Sequence, residues 1–285
     1  MEKKLFTTWD LHAHSTYSDG SDTPTELARL ALESGIGAIA LTDHNSVKGL
    51  SEFTSTDLGG KVELIGGIEF STDYGKTELH IIALGVRPEH YQAITERVDV
   101  MLDGKRQANE ELCARLIAAG YKIDTVRMRE GCLGDINRAH IATELVRCGY
   151  VKDRGEAFAT LLRKGGEFYI EPKRLDVFET IAFIKSMGLV AVLAHPLLNL
   201  TRAELEGFLP SAIEAGLDAM ECIYSEYDED MTEYSLNLAK RMGLLVSGGS
   251  DYHGRNKPTI SLGTGEGNLD IPLSLWENMK GRIKA

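Results

Sequence analysis

The feature that most constrains this chain is the regular alternation of short apolar runs with capped helices. Residues 8–12, 38–42, 62–68 and 78–84 read as strands, and 190–193, 219–223 and 244–247 resume the pattern. The run 38–42 is almost wholly apolar, as suits a parallel strand buried on both faces. Asp73-Tyr74-Gly75-Lys76 has the composition of a turn between the third and fourth runs. Thr23-Pro24-Thr25-Glu26 is a capping box with proline at the first helical position, and Gly35 closes that helix. Further helices are expected over 176–187, from Thr201…Glu204 to Gly216, and over about 231–242. Such alternation predicts an α/β fold, and 285 residues accommodate one (β/α) barrel of about 250 residues with an insertion.

Past Pro88 the pattern changes. Helical periodicity runs from about 94 to 119 and ends at Gly120. Two shorter helices follow, over 137–149 and from the box Asp153…Glu156. No strong buried strand falls between about 101 and 171. The expected organisation is a discontinuous barrel, residues 1–100 and 172–285, with a helical insertion domain, 101–171, that forms part of the substrate site.

Composition narrows the function classes. With 43 acidic and 31 basic side chains the formal charge is -12, which disfavours a protein that holds long nucleic acid by phosphate neutralisation. An anionic substrate stays open, because bound divalent ions can dominate the charge of a site. No apolar run approaches the ~20 residues that cross a bilayer, and Met1–Asp10 has two lysines but no apolar h-region. No membrane association is expected, and the cytoplasm is the expected location. Cys113, Cys132, Cys148 and Cys222 show no C-x-x-C spacing, so reduced, mostly buried thiols are expected.

The histidines and acids give the chemistry. His12 and His14 stand at the end of the first strand, and His44 follows the second in Thr42-Asp43-His44. Glu69 closes the third and His80 lies in the fourth. His195 follows the run 190–193, and Asp251 and His253 follow 244–247. Six of the eight histidines therefore sit at or near strand ends, where the C-terminal edges of a parallel barrel build its site. Each residue alone has an ordinary structural account: Asp43 caps a turn, and a single Glu69 or Asp251 is a surface acid. Together at one edge they are a ligand set for Zn²⁺, Mn²⁺ or Fe, too large for one tetrahedral ion. His90, after Pro88-Glu89, is expected at the surface. Tyr252 is the one aromatic placed to meet a base or ribose, with packing as its alternative role.

At this point the motifs resemble a known family. Asp10-Leu11-His12-Ala13-His14-Ser15, Ser18-Asp19-Gly20, Thr42-Asp43-His44-Asn45, Gly67-Ile68-Glu69, Ala194-His195-Pro196 and Gly249-Ser250-Asp251-Tyr252-His253 look like the PHP (polymerase and histidinol phosphatase) superfamily, in order along essentially the whole chain. Asn137-Arg138-Ala139-His140-Ile141-Ala142, followed by Gly149-Tyr150-Val151-Lys152-Asp153, resembles its TrpH-like branch. That branch includes nucleoside 3',5'-bisphosphate phosphatases and 5'-3' exonucleases of short RNA.

The resemblance implies a distorted (β/α)7 TIM-like barrel with two or three divalent ions, Mn, Fe or Zn. One ion would take His12, His14, Glu69 and Asp251. A second would share Glu69 and add His80 and His195, and a third would use Asp19, His44 and His253. Asp19 stands where some relatives have histidine, and its oxygen favours a harder ion such as Mn²⁺. Ala139 replaces a frequent proline, and the segment from Glu221 to Ser225 lacks a Tyr-His-Pro usual after this strand.

The expected reaction is hydrolysis of a phosphate monoester on a small nucleotide of the nucleoside 3',5'-bisphosphate type, with 5'-3' trimming of short RNA as a further activity. The expected nucleophile is a metal-bound hydroxide held by Glu69, Asp251 and His195. Arg138 and His140 are the expected substrate contacts, with Asn137 as helix cap; Arg255 and Lys257 are weaker candidates. The alternatives are a histidinol-phosphate phosphatase, against which the TrpH-like insertion argues, and a non-catalytic regulatory PHP module, against which the intact ligand set argues.

Overall fold

The computed structural model describes residues 8–130, 136–172, 174–272 and 274–283. The chain forms two compact units, Met1–Thr95 with Leu175–Ala285, and Glu96–Arg174. The first begins with β1 (Thr8–Asp10), α1 (Pro24–Ser34), β2 (Ile36–Leu41), α2 (Leu50–Thr54), β3 (Glu63–Tyr74) and β4 (Thr77–Leu84). The helix α3 (Tyr91–Ala118) runs into the second unit, which also holds α4 (Thr125–Glu130), α5 (Arg138–Arg147) and α6 (Arg154–Ala159). The first unit resumes with β5 (Leu175–Asp176), α7 (Val177–Ser186), β6 (Val190–Ala194), α8 (Arg202–Ala215) and β7 (Ala219–Tyr224). It ends with α9 (Glu229–Met242), β8 (Leu245–Gly249) and α10 (Ser274–Lys280). The short elements α2, α4, α10 and β5 have too little periodicity to be read from sequence.

Among the described residues, seven strands make a nearly closed barrel in the order β1-β2-β3-β4-β6-β7-β8, and β5 pairs beside the outer part of β3. The ends of the path meet where Leu11 N–H donates to Gly248 O (3.2 Å) and Asp251 N–H to His12 O (2.8 Å). The expectation of a parallel barrel is corrected at one strand. β4 runs antiparallel to both β3 and β6, because Tyr74 pairs with Thr77 across Gly75-Lys76, and a two-residue loop can only join antiparallel strands. β3 also continues past residue 68, so Glu69 lies within it and does not close it. The antiparallel turn has a functional consequence: β4 begins where its neighbours end, and His80 sits near that beginning, paired with Ser71 and Ala194.

Side-chain alternation divides the barrel interior into two zones. Trp9, Ala38, Ala40, Ile65, Ile82, Leu84, Val190, Val192 and Ala219 form one buried apolar cluster, joined by Ile271, Trp276 and Met279. Continuing the same parity along the strands gives His44 after Ala38 and Ala40, Glu69 after Ile65, His80 before Ile82, and Glu221 after Ala219. One row of residues thus changes from hydrocarbon to ligand-type groups. The capping devices read from sequence are present: Thr23 and Glu26 form their box, and Gly35 takes the left-handed conformation at φ 79°.

The second unit has its own core, in which Leu112, Leu116, Ile141, Leu145, Ala157 and Leu162 are buried together. Cys113 and Cys222 are buried free thiols, raised by burial, and Cys148 is half-buried; Cys132 lies outside the described residues. His90 is buried rather than exposed, because its Nδ1 accepts from the Arg87 N–H at 3.0 Å and caps a turn of 3₁₀ helix. No helix among the described residues is long and apolar enough to cross a membrane.

The seam between β1 and β8 leaves no room for a side chain at Gly249: a Cβ there would lie 2.3 Å from His12 Cβ and 2.7 Å from His12 N. Backbone must shift to admit even a methyl group, and overpacking of this kind costs roughly 1–3 kcal/mol. Gly249→Ala is expected to lower the thermal midpoint by several degrees in a denaturation scan; an unchanged midpoint would contradict the close seam.

Candidate metal centre

The nine residues expected as ligands converge at one end of the barrel interior. Their donor atoms fall into four overlapping sets, each with all atoms within 4.8 Å of one another: His14, Asp19, His44 and His253; His12, His195 and Asp251; His12, His14 and Glu69; and His44, Glu69 and His80. This grouping differs in part from the one implied by resemblance, since His195 groups with His12 and Asp251, and His14 joins the set containing Asp19. His195 nevertheless also lies 3.1 Å from Glu69 Oε1.

Glu69 is the centre. It is fully buried, and its Oε1 lies 2.9 Å from His80 Nδ1 and 3.1 Å from His195 Nε2. Its Oε2 has His44 Nδ1 at 3.0 Å and both His12 Nε2 and His14 Nε2 at 3.2 Å. Yet Oε2 makes no hydrogen bond, and neither do His44 Nδ1 and His195 Nδ1. His12 Nε2 and His14 Nε2 are themselves only 3.1 Å apart. Polar atoms that crowd one another this closely without pairing are aimed at a common space, and buried polar groups of native proteins are otherwise paired. Nitrogen and carboxylate donors around such a space suit divalent transition ions. The residues present fit a metal centre.

Charge in the cluster is balanced within it. The surrounding imidazoles hold Glu69 and Asp251 well below the ordinary carboxylate range, against the opposing effect of burial. Burial likewise disfavours the charged form of His14 and His80, but the acids outweigh it and raise them to about 9 and about 10. His12 is raised in the same way. His44 goes the other way, down to about 4, because burial is reinforced by the charges of His14 and His80. Without metal, protons on the imidazoles neutralise the acids.

Residues outside the ligand sets aim those inside them. Asp43, expected as a turn cap, accepts from Ser15 N–H and Ser15 Oγ (both 2.7 Å) and from Ser18 Oγ (2.6 Å), holding the loop that carries Asp19. Asp19, though exposed, has its Oδ1 3.1 Å from His253 Nε2, and against partial desolvation its carboxyl is lowered by His253, His44 and His14. Asp251 Oδ2 accepts from Tyr224 Oη (2.9 Å) and Lys257 Nζ (2.6 Å), while its Oδ1 faces His14 Nε2 at 3.1 Å. Tyr252 donates to Asp22 at 2.7 Å, as a packing residue would. Asp10, fully buried and raised by burial, accepts from Ser250 N–H (2.9 Å), Ser250 Oγ (2.5 Å) and Gly263 N–H (2.8 Å) and pins the last metal motif to β1. The roles of Asp10 and Tyr224, and the contact of buried Glu221 with His12 Nδ1 at 3.2 Å, were missed in the sequence. Their signal was available in one form: an acid within the apolar run Ala219-Met220-Glu221-Cys222-Ile223 needs a buried partner.

Backbone strain collects at the same place. Among the described residues, the non-glycine positions with positive φ are Asn45 (50°), His195 (28°) and Asp251 (54°). Such conformations cost of order 1–3 kcal/mol each and persist where surrounding contacts over-determine them.

In the second unit, Asn137 caps α5, accepting from His140 N–H at 3.0 Å, and His140 Nδ1 accepts from Asn137 N–H at 3.2 Å. His140 is therefore engaged in the capping box. Arg138 is no freely solvated helix residue: its guanidinium lies 5.5 Å from the centre of the Phe158 ring and 5.2 Å from that of Tyr169. It lines a cavity of about 340 Å³ together with Lys105, Asn109, Asn137 and Arg174.

Comparison with known proteins agrees with this geometry. The chain is 30% identical over 281 residues to a 5'-3' exoribonuclease of Haemophilus influenzae, covering 94% of this chain and 98% of that one. It is 30% identical over 278 residues to a 3',5'-nucleoside bisphosphate phosphatase of Chromobacterium violaceum, covering 96% and 97%. A solved structure from Bifidobacterium adolescentis, named as a candidate metal-dependent phosphoesterase, superposes with a TM-score of 0.71 at 28% identity, covering 97% of this chain and 96% of that one. The PHP domain model matches residues 10–174. With its barrel, its ligand motifs and these relatives, the chain belongs to the PHP domain family.

Proposed function

We propose that this chain is a metal-dependent phosphatase of small nucleotides that carry two phosphates, of the nucleoside 3',5'-bisphosphate type, with 5'-3' trimming of short RNA as a second activity. The observation that carries the proposal is the buried Glu69 carboxylate, crowded by five imidazoles and unpaired at Oε2. In this reading His12, His14, Glu69 and Asp251 hold one ion, Glu69, His80 and His195 a second, and Asp19, His44 and His253 a third. Divalent ions at such a cluster supply activated water near neutral pH and neutralise phosphoryl oxygens. The chain's own part is to orient. Glu69 offers its two oxygens to two different sets of imidazoles, and Tyr224 and Lys257 hold Asp251 through its Oδ2.

Arg138 is the proposed phosphate-binding residue of the second unit. A guanidinium held between two rings loses little freedom on binding and presents a planar fork to an anion. Lys105 and Arg174 around the same cavity add positive charge in a chain that is acidic overall. Phe158 and Tyr169 are surfaces on which a base can stack.

Phosphate release by Mn²⁺-loaded protein tests the substrate class, comparing adenosine 3',5'-bisphosphate, histidinol phosphate and a 5'-phosphorylated tetranucleotide RNA. The bisphosphate is expected to be hydrolysed fastest, with activity abolished by chelation and restored by added metal. Preference for histidinol phosphate would overturn the reading. Arg138→Ala is expected to raise KM for the bisphosphate about 10- to 100-fold, the worth of one charge-assisted contact, with little change for a substrate lacking the second phosphate. Equal effects on both substrates would remove Arg138 from this role.

Metal uptake has a defined pH dependence. His14 and His80, raised to about 9 and about 10, carry protons at neutral pH that an incoming ion must displace. Affinity for Mn²⁺ is therefore expected to climb about tenfold or more per pH unit between pH 6 and 8, and to level off only above about 10. A pH-independent affinity in calorimetric titrations would mean that the imidazoles are already neutral.

A further inference from the structure

We propose that Glu221 is a positioning residue that sets two of the ligands at once, the ring of His12 and the backbone of His195, and that a carboxylate is the one side chain able to do both. The inference rests on the metal reading above. Glu221 lies in β7, is 1% exposed and belongs to none of the four ligand sets. Its Oε1 lies 3.2 Å from His12 Nδ1, with Oε2 at 3.4 Å. Its Oε2 accepts the His195 N–H at 2.8 Å. The two donors come from chain segments 209 and 26 residues away, after β1 and after β6. β7 shifts register against β8 immediately after Glu221, an irregularity of the kind that re-aims a side chain.

The chemistry follows from acceptor count. His12 Nε2 is the nitrogen that faces the cluster, 3.2 Å from Glu69 Oε2 and 3.4 Å from Asp251 Oδ1. For that nitrogen to offer a lone pair, the ring proton must sit on Nδ1, and Nδ1–H needs an acceptor. The His195 N–H needs another, at a residue whose φ of 28° must be held from outside. An ionised carboxylate has acceptor lone pairs on both oxygens, whereas the isosteric amide has one oxygen and one donor group. With its oxygen on His195 N–H, a glutamine donates to His12 Nδ1 and drives the proton onto Nε2, closing the ligand position. With the amide reversed, the His195 N–H faces a donor and loses its hydrogen bond. An amide oxygen at the Oε2 position still has a second lone pair 3.4 Å from His12 Nδ1, but the NH2 group at the Oε1 position then opposes the Nδ1–H at 3.2 Å, so only the carboxylate meets both donors without an opposing N–H.

The experiment is Zn²⁺ binding to wild type and Glu221→Gln, with ¹⁵N NMR of the histidine side chains, His12 being assigned by comparison with His12→Asn. Wild type is expected to bind Zn²⁺ with His12 protonated at Nδ1 and metallated at Nε2. Glu221→Gln is expected to keep the wild-type circular dichroism, to bind Zn²⁺ about 10- to 100-fold more weakly, and to lose the His12 Nδ1–H signal. Equal affinity with an unchanged His12 signal would overturn the proposal. Should the variant not fold, the wild-type spectrum decides alone, since metal on Nδ1 of His12 would overturn it too. A wild-type chain that takes up no Zn²⁺ would overturn the metal reading itself, and this inference with it.

Discussion

A fully buried carboxylate is costly unless charge and hydrogen bonds compensate it, and Glu69 is compensated by five imidazoles brought from four segments of the barrel. That one requirement organises much of the first unit. The loops after β1, β2, β6 and β8 must end at the same height, and β4 must deliver His80 from its beginning. Protons on the imidazoles can meet the requirement, and divalent ions can meet it better, since they also use the lone pairs that Glu69 Oε2, His44 Nδ1 and His195 Nδ1 leave unpaired.

Strand parity is the device that keeps the ionic zone apart from the hydrocarbon zone. Because side chains alternate with a period of two, the row that buries Ile65 also presents Glu69, and the row that buries Ile82 and Leu84 also presents His80. A slip of one residue in register would turn Glu69 out of the interior and break its contacts with all five imidazoles at once. The hairpin at Gly75-Lys76 therefore matters to chemistry as well as to topology: it fixes the β3–β4 register, with Ser71 opposite His80.

The second unit is built differently. Its core closes on itself around Leu112, Leu116, Ile141 and Leu145, and what it presents is a guanidinium braced by two aromatic rings at a capped helix start. Bracing trades the side-chain entropy of an arginine for a preformed orientation. Relatives named for a nucleoside bisphosphate phosphatase and a 5'-3' exoribonuclease match this chain over 96% and 94% of its length.

Much of this was legible along the sequence, because capping boxes, glycine stops and apolar runs act over a few residues. Thr23 with Glu26, Thr201 with Glu204 and the runs around residues 40 and 192 needed only their neighbours to be read. The ligand types were legible too, since His12, His14, His44, His195, Asp251 and His253 stand just after strands whose ends must meet in a barrel. The antiparallel sense of β4, the continuation of β3 through Glu69, the sharing of His14 between two ligand sets and the grouping of His195 with His12 and Asp251 were decided only in three dimensions. So were the roles of Asp10, which binds Ser250 across 240 residues, and of Glu221, which reaches His12 across 209. Local hydrogen bonding and periodicity are written in adjacent residues; which buried acid compensates which distant donor depends on where the closed barrel brings them, and no short stretch of chain carries that information.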